Sequence, residues 1–271
     1  MLIQVGCEID FVFPEPTALM LILSLHPVRS ATVRQQEDLR VNPAVPITRF
    51  FDVHGNDCAR LVAPSGSVTF RNNAIVEDSG LPDLSVWSAP QVNIQDLPQE
   101  TLPFLLASRY CEVDSELKEL AWAKFSQVQS GWPRVQAVCD FVHQHLQFDY
   151  QRARSNRTSL EAYRERTGVC RDFTHLAMTL CRCLNVPARY CTGYLSDIGV
   201  PVITGPMDFS AWFEAYLGGQ WYAFDPRNNV PRIGRVLMAR GRDAADAAIS
   251  TTFGVNQLKT FNVWADEVKT A

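Results

Sequence analysis

The hydrophobic period changes along this chain, and that change limits the folds open to it. Over the first 90 or so residues, apolar and polar side chains alternate. The stretch Cys7-Glu8-Ile9-Asp10-Phe11-Val12-Phe13 shows the pattern most plainly, and Pro14 and Pro16 end it. A period of two is that of a strand with one buried face. Ala18 to Leu25, closed by Pro27, predicts a second strand. Ile47–Val53 and Cys58–Ala63 flank His54-Gly55-Asn56-Asp57, a hairpin signal, and Ser67–Phe70 and Ala74–Glu77 flank Arg71-Asn72-Asn73. Short strands with proline, glycine and asparagine at their breaks predict an antiparallel sandwich. Four prolines fall between 79 and 103, as in a linker.

From about residue 104 the period is helical. Leu117, Leu120, Ala121, Phe125 and Val128 share one face, with Asp114 or Ser115 as cap. Pro133 suits the first turn of a second helix, whose apolar face is Val135, Val138, Cys139, Val142 and Leu146. Thr158 with Glu161 forms a capping box for a short helix ending near Gly168. Cys170 to Leu184 predicts a longer one, with Phe173, Leu176, Ala177 and Leu180 inward, stopped by Asn185 and Pro187. Strands return at Ala188–Ser196. Phe209–Leu217 and Gln220–Asp225 form a hairpin across Gly218-Gly219, and strand-like stretches recur at Val236–Ala239 and Lys259–Ala265.

The expected architecture is α+β. Residues 1–90 form an antiparallel β-sandwich-like domain, 91–103 a linker, and 104–271 a second unit whose C-terminal strands pack onto it or bridge to the first. With 271 residues, 46% hydrophobic and 20% charged, the chain has globular composition. A net charge of −4 argues against neutralising a run of phosphates, so no nucleic-acid partner is expected. No apolar run is long enough to cross a bilayer, and Ala18–Leu23 lacks the basic flank of a signal peptide. Eight cysteines without an export signal predict reduced thiols in the cytoplasm and no membrane partner.

The chemistry concentrates in Thr167-Gly168-Val169-Cys170-Arg171-Asp172-Phe173. A glycine turn sets a cysteine on the first turn of a helix. There, free amides carry partial positive charge and stabilise a thiolate or an oxyanion. A glycine-pair turn pairs Leu217 with Gln220 and faces Trp212 with Asp225, so Ser210 and Asp225 become diagonal neighbours on one face. The plainer readings stay open: an inert buried Cys170, a filler or water-bridging Ser210, and Asp225 as a turn former before Pro226. His175, five residues past Cys170, does not face it on the helix, and a structural role suits it better. His54, His143 and His145 are likewise expected to be structural. Cys181 and Cys183, two apart on a helix, point opposite ways and make a poor metal pair. Arg227, Arg232, Arg235, Arg240 and Arg242 are either a solvated or internally paired surface or a stripe that recognises a carboxylate, such as a peptide C-terminus or an acidic partner.

The stretches GVCRDFTHLAMTLCRCLNVPARYCTGYL (168–195), MDFSAWFEAYLGGQWYAFDPRNNVPRIGRV (207–236) and GRDAADAAISTTFG (241–254) resemble bacterial transglutaminase-like proteins, a branch of the papain-like cysteine enzymes. The N-terminal half is similar to the β-domain that precedes the core in relatives. The resemblance implies a papain-like core and a Cys-His-Asp triad for acyl transfer. Cys170 takes the nucleophile position, Asp225 the orienting position, and the family's histidine falls on Ser210. Relatives are described as cysteine proteases or as amide-forming enzymes, some encoded beside an ATP-grasp-like protein and a small helical protein. The implied substrate is therefore a peptide or amide, with those two proteins as candidate partners and no cofactor or metal. A serine hydroxyl is no base near neutral pH. Two functions are therefore expected: a cysteine enzyme cleaving or forming amide bonds through a thioester, or a silent peptide-binding or scaffold module.

Overall fold

Alternation along the first strand places Ile3, Val5, Cys7, Ile9, Phe11 and Phe13 in a core and turns Gln4 outward. The computed structural model describes residues 1–201 and 207–269, so positions 202–206, 270 and 271 of the expected second unit lie outside the described residues. The N-terminal strands are β1 (Leu2–Phe13), β2 (Thr17–Leu21), β3 (Val33–Gln35), β4 (Arg40–Asn42), β5 (Thr48–Phe51), β6 (Asp57–Ala63) and β7 (Gly66–Glu77). Next come α1 (Leu117–Phe125), α2 (Trp132–His145), β8 (Gln147–Phe148), α3 (Ser159–Glu165), β9 (Thr167–Gly168) and α4 (Cys170–Cys183). The chain ends with β10 (Ala188–Leu195), β11 (Ser210–Leu217), β12 (Gln220–Phe224), β13 (Arg235–Gly241), β14 (Ser250–Thr252) and β15 (Gln257–Glu267).

Two antiparallel sheets, β15-β1-β7-β3 with β4 also on β7, and β14-β2-β6-β5, close over one shared apolar core. This is the sandwich expected from the alternation. Its first sheet is completed from the far end of the chain: β15 pairs with β1 from Ile3↔Glu267 to Val12↔Gln257. β14 likewise pairs with β2. Gly6 lets Trp264 lie flat across β1, since a Cβ there would stand 2.4 Å from the indole.

The Arg71-Asn72-Asn73 break does not exist. β7 runs unbroken through it, with Asn72 opposite Cys7. Asn72 is buried, and its amide donates to Leu23 O (2.8 Å) and to Glu37 (3.0 Å). Those bonds satisfy the polar group and so remove its preference for a turn.

The second core is built around α4. β10 and β11, from the sheet β12-β11-β10-β13, flank it on one side, and α1, α2 and α3 pack on the others. A single inner face was expected for α4, but every residue from Asp172 to Cys183 is buried. Most of the polar groups are bonded within the protein: the Arg182 guanidinium donates to Ala188 O (2.8 Å) and Leu106 O (3.1 Å), and Thr179 donates to His175 O, while His175 Nδ1 is buried without a partner. The segment between the cores is strapped to the second. Trp132 N donates to Ala89 O (3.0 Å), and Gly218 N to Pro90 O (2.8 Å). Gly218 and Gly219, both at positive φ, make the expected turn, and Leu217 pairs with Gln220.

Candidate active site

The capping box of Thr158 and Glu161 starts α3, which ends on Arg166 in the left-handed region. Thr167–Gly168 then pairs in parallel with Gln147–Phe148, and Val169 is extended. Cys170 is therefore the first residue of α4. The helix start is pinned by Asp172, whose Oδ2 accepts from Val169 N (2.9 Å) and from Arg157 Nη1 (2.8 Å). Both side chains are sealed from solvent, at 0% and 2% exposure, which makes this ion pair a fixed anchor rather than a surface contact. Gly168 makes room for it: a Cβ there would come within 2.5 Å of Asp172 Cβ.

Cys170 is partly exposed, and its Sγ donates to Phe209 O at 3.8 Å. That carbonyl lies where β11 begins. Ser210 pairs with Gly193 of β10, while β12 stops opposite Phe213 and reaches no farther along β11. The carbonyl of 209 and the amide of 211 therefore point to an open strand edge, and the sulfur fills it. The amides of Ala211 and Arg171 favour the thiolate, but desolvation and the Asp208 and Asp225 carboxylates outweigh them. The thiol is pushed up to about 12, with desolvation the largest cause.

Ser210 is half-buried at this edge, and its carbonyl accepts from Thr192 Oγ1 (3.0 Å). Ala211, Phe213, Ala215 and Leu217 pack toward α4. Alternation thus sets Ser210 on the opposite side, with Trp212. Asp225, one step past Phe224, shares that side. Its Oδ1 accepts from Asn228 N (3.0 Å), and its Oδ2 from Asn228 Nδ2 (2.8 Å) and Arg235 Nη2 (3.2 Å). Arg235 also clamps Asp83 (2.9 Å), from the strapping segment, and lies 4.7 Å over Trp212. The structure thus brings the sulfur to the head of the ribbon, while Asp225 is held by a guanidinium.

The imidazoles lie elsewhere. His175 is buried and stacked on Tyr110 (5.0 Å), and its Nε2 accepts from Ala244 N (3.1 Å). Burial, with Arg171 and Arg182 nearby, holds its pKa well below the ordinary value. His54 meets Asp246, His143 meets the carbonyls of Pro226 and Arg227, and His145 meets Tyr163 O. The arginine stripe is internally paired: Arg232 with Asp197, Arg235 with Asp83 and Asp225, Arg240 with Glu214, and Arg242 with Asp246. Arg227 lies 4.3 Å over the Phe148 ring. Cys181 and Cys183 are both buried, and Cys183 Sγ donates to Val113 O.

Two neighbours of the sulfur escaped the sequence reasoning: Asp208 and Tyr150, each of whose charges acts on Cys170 or is acted on by it. Asp208 carried a faint signal, an acid two residues before the family's histidine position. Tyr150 carried none, because only the tertiary fold delivers it.

Comparison with known proteins agrees with this geometry. The Transglutaminase-like superfamily model matches residues 121–226, from within α1 to just past Asp225. The crystal structure of a putative cysteine protease from Cytophaga hutchinsonii superposes with a TM-score of 0.85 at 31% identity, covering 100% of this chain and 92% of that one. The uncharacterized protein ML0607 of Mycobacterium leprae is 24% identical over 212 residues, 76% of this chain and 75% of its own. The uncharacterized protein Rv2569c of Mycobacterium tuberculosis is 26% identical over 219 residues, 72% of this chain and 68% of its own. With a cysteine heading the central helix, a glycine-turned ribbon beside it and a sandwich ahead of both, the chain belongs to the transglutaminase-like superfamily.

Proposed function

We propose that the protein is a cysteine enzyme acting on amide bonds through a thioester, releasing an acid to water or passing the acyl group to an amine. One observation carries this reading: Cys170, a half-buried residue at the head of α4, directs its sulfur to the Phe209 carbonyl at the open edge of β11, with the amides of Arg171 and Ala211 favouring its thiolate. Cys170 is the nucleophile, and free amides at the helix head hold the oxyanion. Ser210 and Asp225 stand at the family's histidine and aspartate positions, and Asp225 acts here with Arg235 as a support for the ribbon.

A second reading is favoured by that same Asp225–Arg235 bond: a silent member that keeps the cleft to bind peptides. A thiol held near 12 is ionised to only about one part in 10⁵ at pH 7. The two readings are separated by incubation with p-nitrophenyl acetate and with dipeptide amides, followed by intact-mass measurement. The enzyme reading expects an acyl adduct on Cys170 that turns over and is absent in Cys170→Ala. Equal behaviour of the two proteins establishes the silent module.

A further inference from the structure

We propose that Arg227 selects the substrate of Cys170: its guanidinium receives a free carboxylate carried close to the carbonyl under attack. The proposal rests on the acyl-transfer reading and names its substrate class, a peptide or amide with an anionic group beside the reacting bond.

Arg232, Arg235, Arg240 and Arg242 are all engaged inside the protein, each by at least one carboxylate. Arg227 meets no carboxylate among the described residues. Its Nη1 donates to Asn228 Oδ1 (2.7 Å), and its guanidinium lies over the Phe148 ring at 4.3 Å. A ring face holds a cation in place without neutralising it. The planar fork, with one nitrogen on Asn228, keeps its other edge for a carboxylate.

The ring beneath Arg227 ties it to the reacting sulfur. Phe148 pairs with Gly168, which lies just before Val169 and Cys170, and Asp149 N donates to Gly168 O (3.0 Å). The Phe148 ring also faces Phe173, one turn along α4 from Cys170 (6.4 Å), and meets Tyr150 edge-on (4.8 Å). From the other side, the turn after the ribbon fixes the Arg227 backbone. Asn228 donates to the Asp225 carboxylate (3.0 and 2.8 Å), and His143 Nδ1 meets Arg227 O (3.0 Å). Arg227 therefore spans from the turn at Asp225 to the segment that sets Cys170. The electrostatics agree with this geometry. Burial first, then Asp208 and Cys170, push the Tyr150 hydroxyl up to about 12, and Arg227 acts against them.

An anionic substrate needs such a group here. Asp208 and Asp225 already oppose negative charge on the sulfur, and they would repel a carboxylate approaching it. Two other arginines nearby are engaged. Arg171 donates to the Ser155 carbonyl (3.3 Å) and pairs with Asp172 (3.4 Å), and Arg152 lies 3.7 Å from Asp149. Arg227 is left to meet the anion. The carboxylate comes from the acyl side, as an acidic side chain, or from the leaving side, as the C-terminus of a short peptide.

The test uses the full chain and reads Cys170 by peptide mass. N-iodoacetylglycine and its neutral amide alkylate the same sulfur. The ratio of their rates cancels the thiolate fraction and leaves the effect of the probe's charge. At low salt, Arg227→Gln should lower this anionic-to-neutral ratio about fivefold. An equal ratio in the two proteins overturns the proposal. The acyl-transfer reading is decided separately, by wild type against Cys170→Ala on p-nitrophenyl acetate. Should Arg227→Gln fail to fold, wild type decides through salt. Added NaCl screens a guanidinium that draws an anion, so the ratio should fall, and a flat or rising ratio overturns the proposal. The source of the carboxylate is read from two esters. Mono-p-nitrophenyl succinate carries it on the acyl side and 4-acetoxybenzoate on the leaving side, each compared with its neutral amide. The ester whose advantage over that amide falls in Arg227→Gln identifies the side. If wild type turns over both esters and neither advantage falls, the proposal is overturned.

Discussion

Arg235 Nη2 lies 3.2 Å from Asp225 Oδ2, and the same guanidinium holds Asp83 at 2.9 Å. The side chains of Arg235 and Asp225 are only 8% and 3% exposed, so water contributes little to holding their charges. Truncating one partner of such a pair leaves the others buried and uncompensated. Arg235→Met keeps much of the contact with Trp212 but strips the charge. It should cost about 3 kcal/mol, a fall in Tm of roughly 6–12 °C for a chain of this size. Adding Asp225→Asn should recover part of that loss, because one stranded carboxylate is removed. Thermal melts of the single and double variants read the coupling. Strictly additive losses would show that the two side chains do not act as a pair.

Replacing Ser210 by histidine tests whether position 210 still addresses the sulfur. An imidazolium beside a thiolate stabilises the charged form and lowers the thiol pKa. The thiol starts at about 12. Ser210→His should therefore move the midpoint of iodoacetamide alkylation down by at least one pH unit, so that labelling at pH 8 becomes about tenfold faster. An unchanged midpoint would place the side chain at 210 out of reach of Cys170.

The legible parts of this chain were those whose signal is local. The Gly218-Gly219 hairpin, the Thr158–Glu161 box and the head of α4 at Cys170 all appear where spacing put them, because each depends on a few consecutive residues. The break at Asn72-Asn73 was misread because a partner 49 positions away satisfies Asn72. The all-round burial of α4 was hidden for the same kind of reason, since Arg157 and Arg182 neutralise or satisfy what would otherwise be a polar face. At the site, sequence brought forward Cys170, Ser210 and Asp225, and it placed Arg235 in a stripe of arginines, but it did not pair Arg235 with Asp225. Nor did it give Asp208 a role, because the one local signal, an acid two residues before position 210, does not tell a half-buried carboxylate from a solvated one.

Gly168 links the fold to the sulfur. Its φ is unexceptional, and the constraint is space: an added Cβ meets Asp172 Cβ at 2.5 Å and Oδ2 at 2.8 Å. Gly168→Ala must push Asp172 off Val169 N and Arg157, loosening the first turn of α4. The expected cost is about 1–3 kcal/mol. The loss should show twice, as a lower urea midpoint and as altered iodoacetamide kinetics at Cys170. Ser159→Ala, a buried change in the neighbouring helix, should leave the kinetics alone. Unaltered kinetics in Gly168→Ala would separate the anchor from the thiol.

His175 predicts how stability follows pH. It is buried and neutral, with Nε2 accepting from Ala244 N and its ring stacked on Tyr110, and desolvation holds its pKa well below 6.5. Between that depressed value and 6.5 the unfolded chain binds a proton that the folded chain refuses. Stability from this residue is thus fully present above 6.5 and is lost as pH falls below it, by up to about 1.4 kcal/mol per pH unit. His26, also depressed by burial, contributes in the same direction, so wild type alone does not isolate His175. His175→Gln offers an amide oxygen to Ala244 N without a titrating ring. It should be less stable at pH 7.5 but lose less between pH 7 and 5, narrowing the gap by at least 1 kcal/mol. Urea titrations at the two pH values measure both slopes. Parallel slopes would mean that the ring takes up its proton in the folded state, through the Nε2 atom now bonded to Ala244.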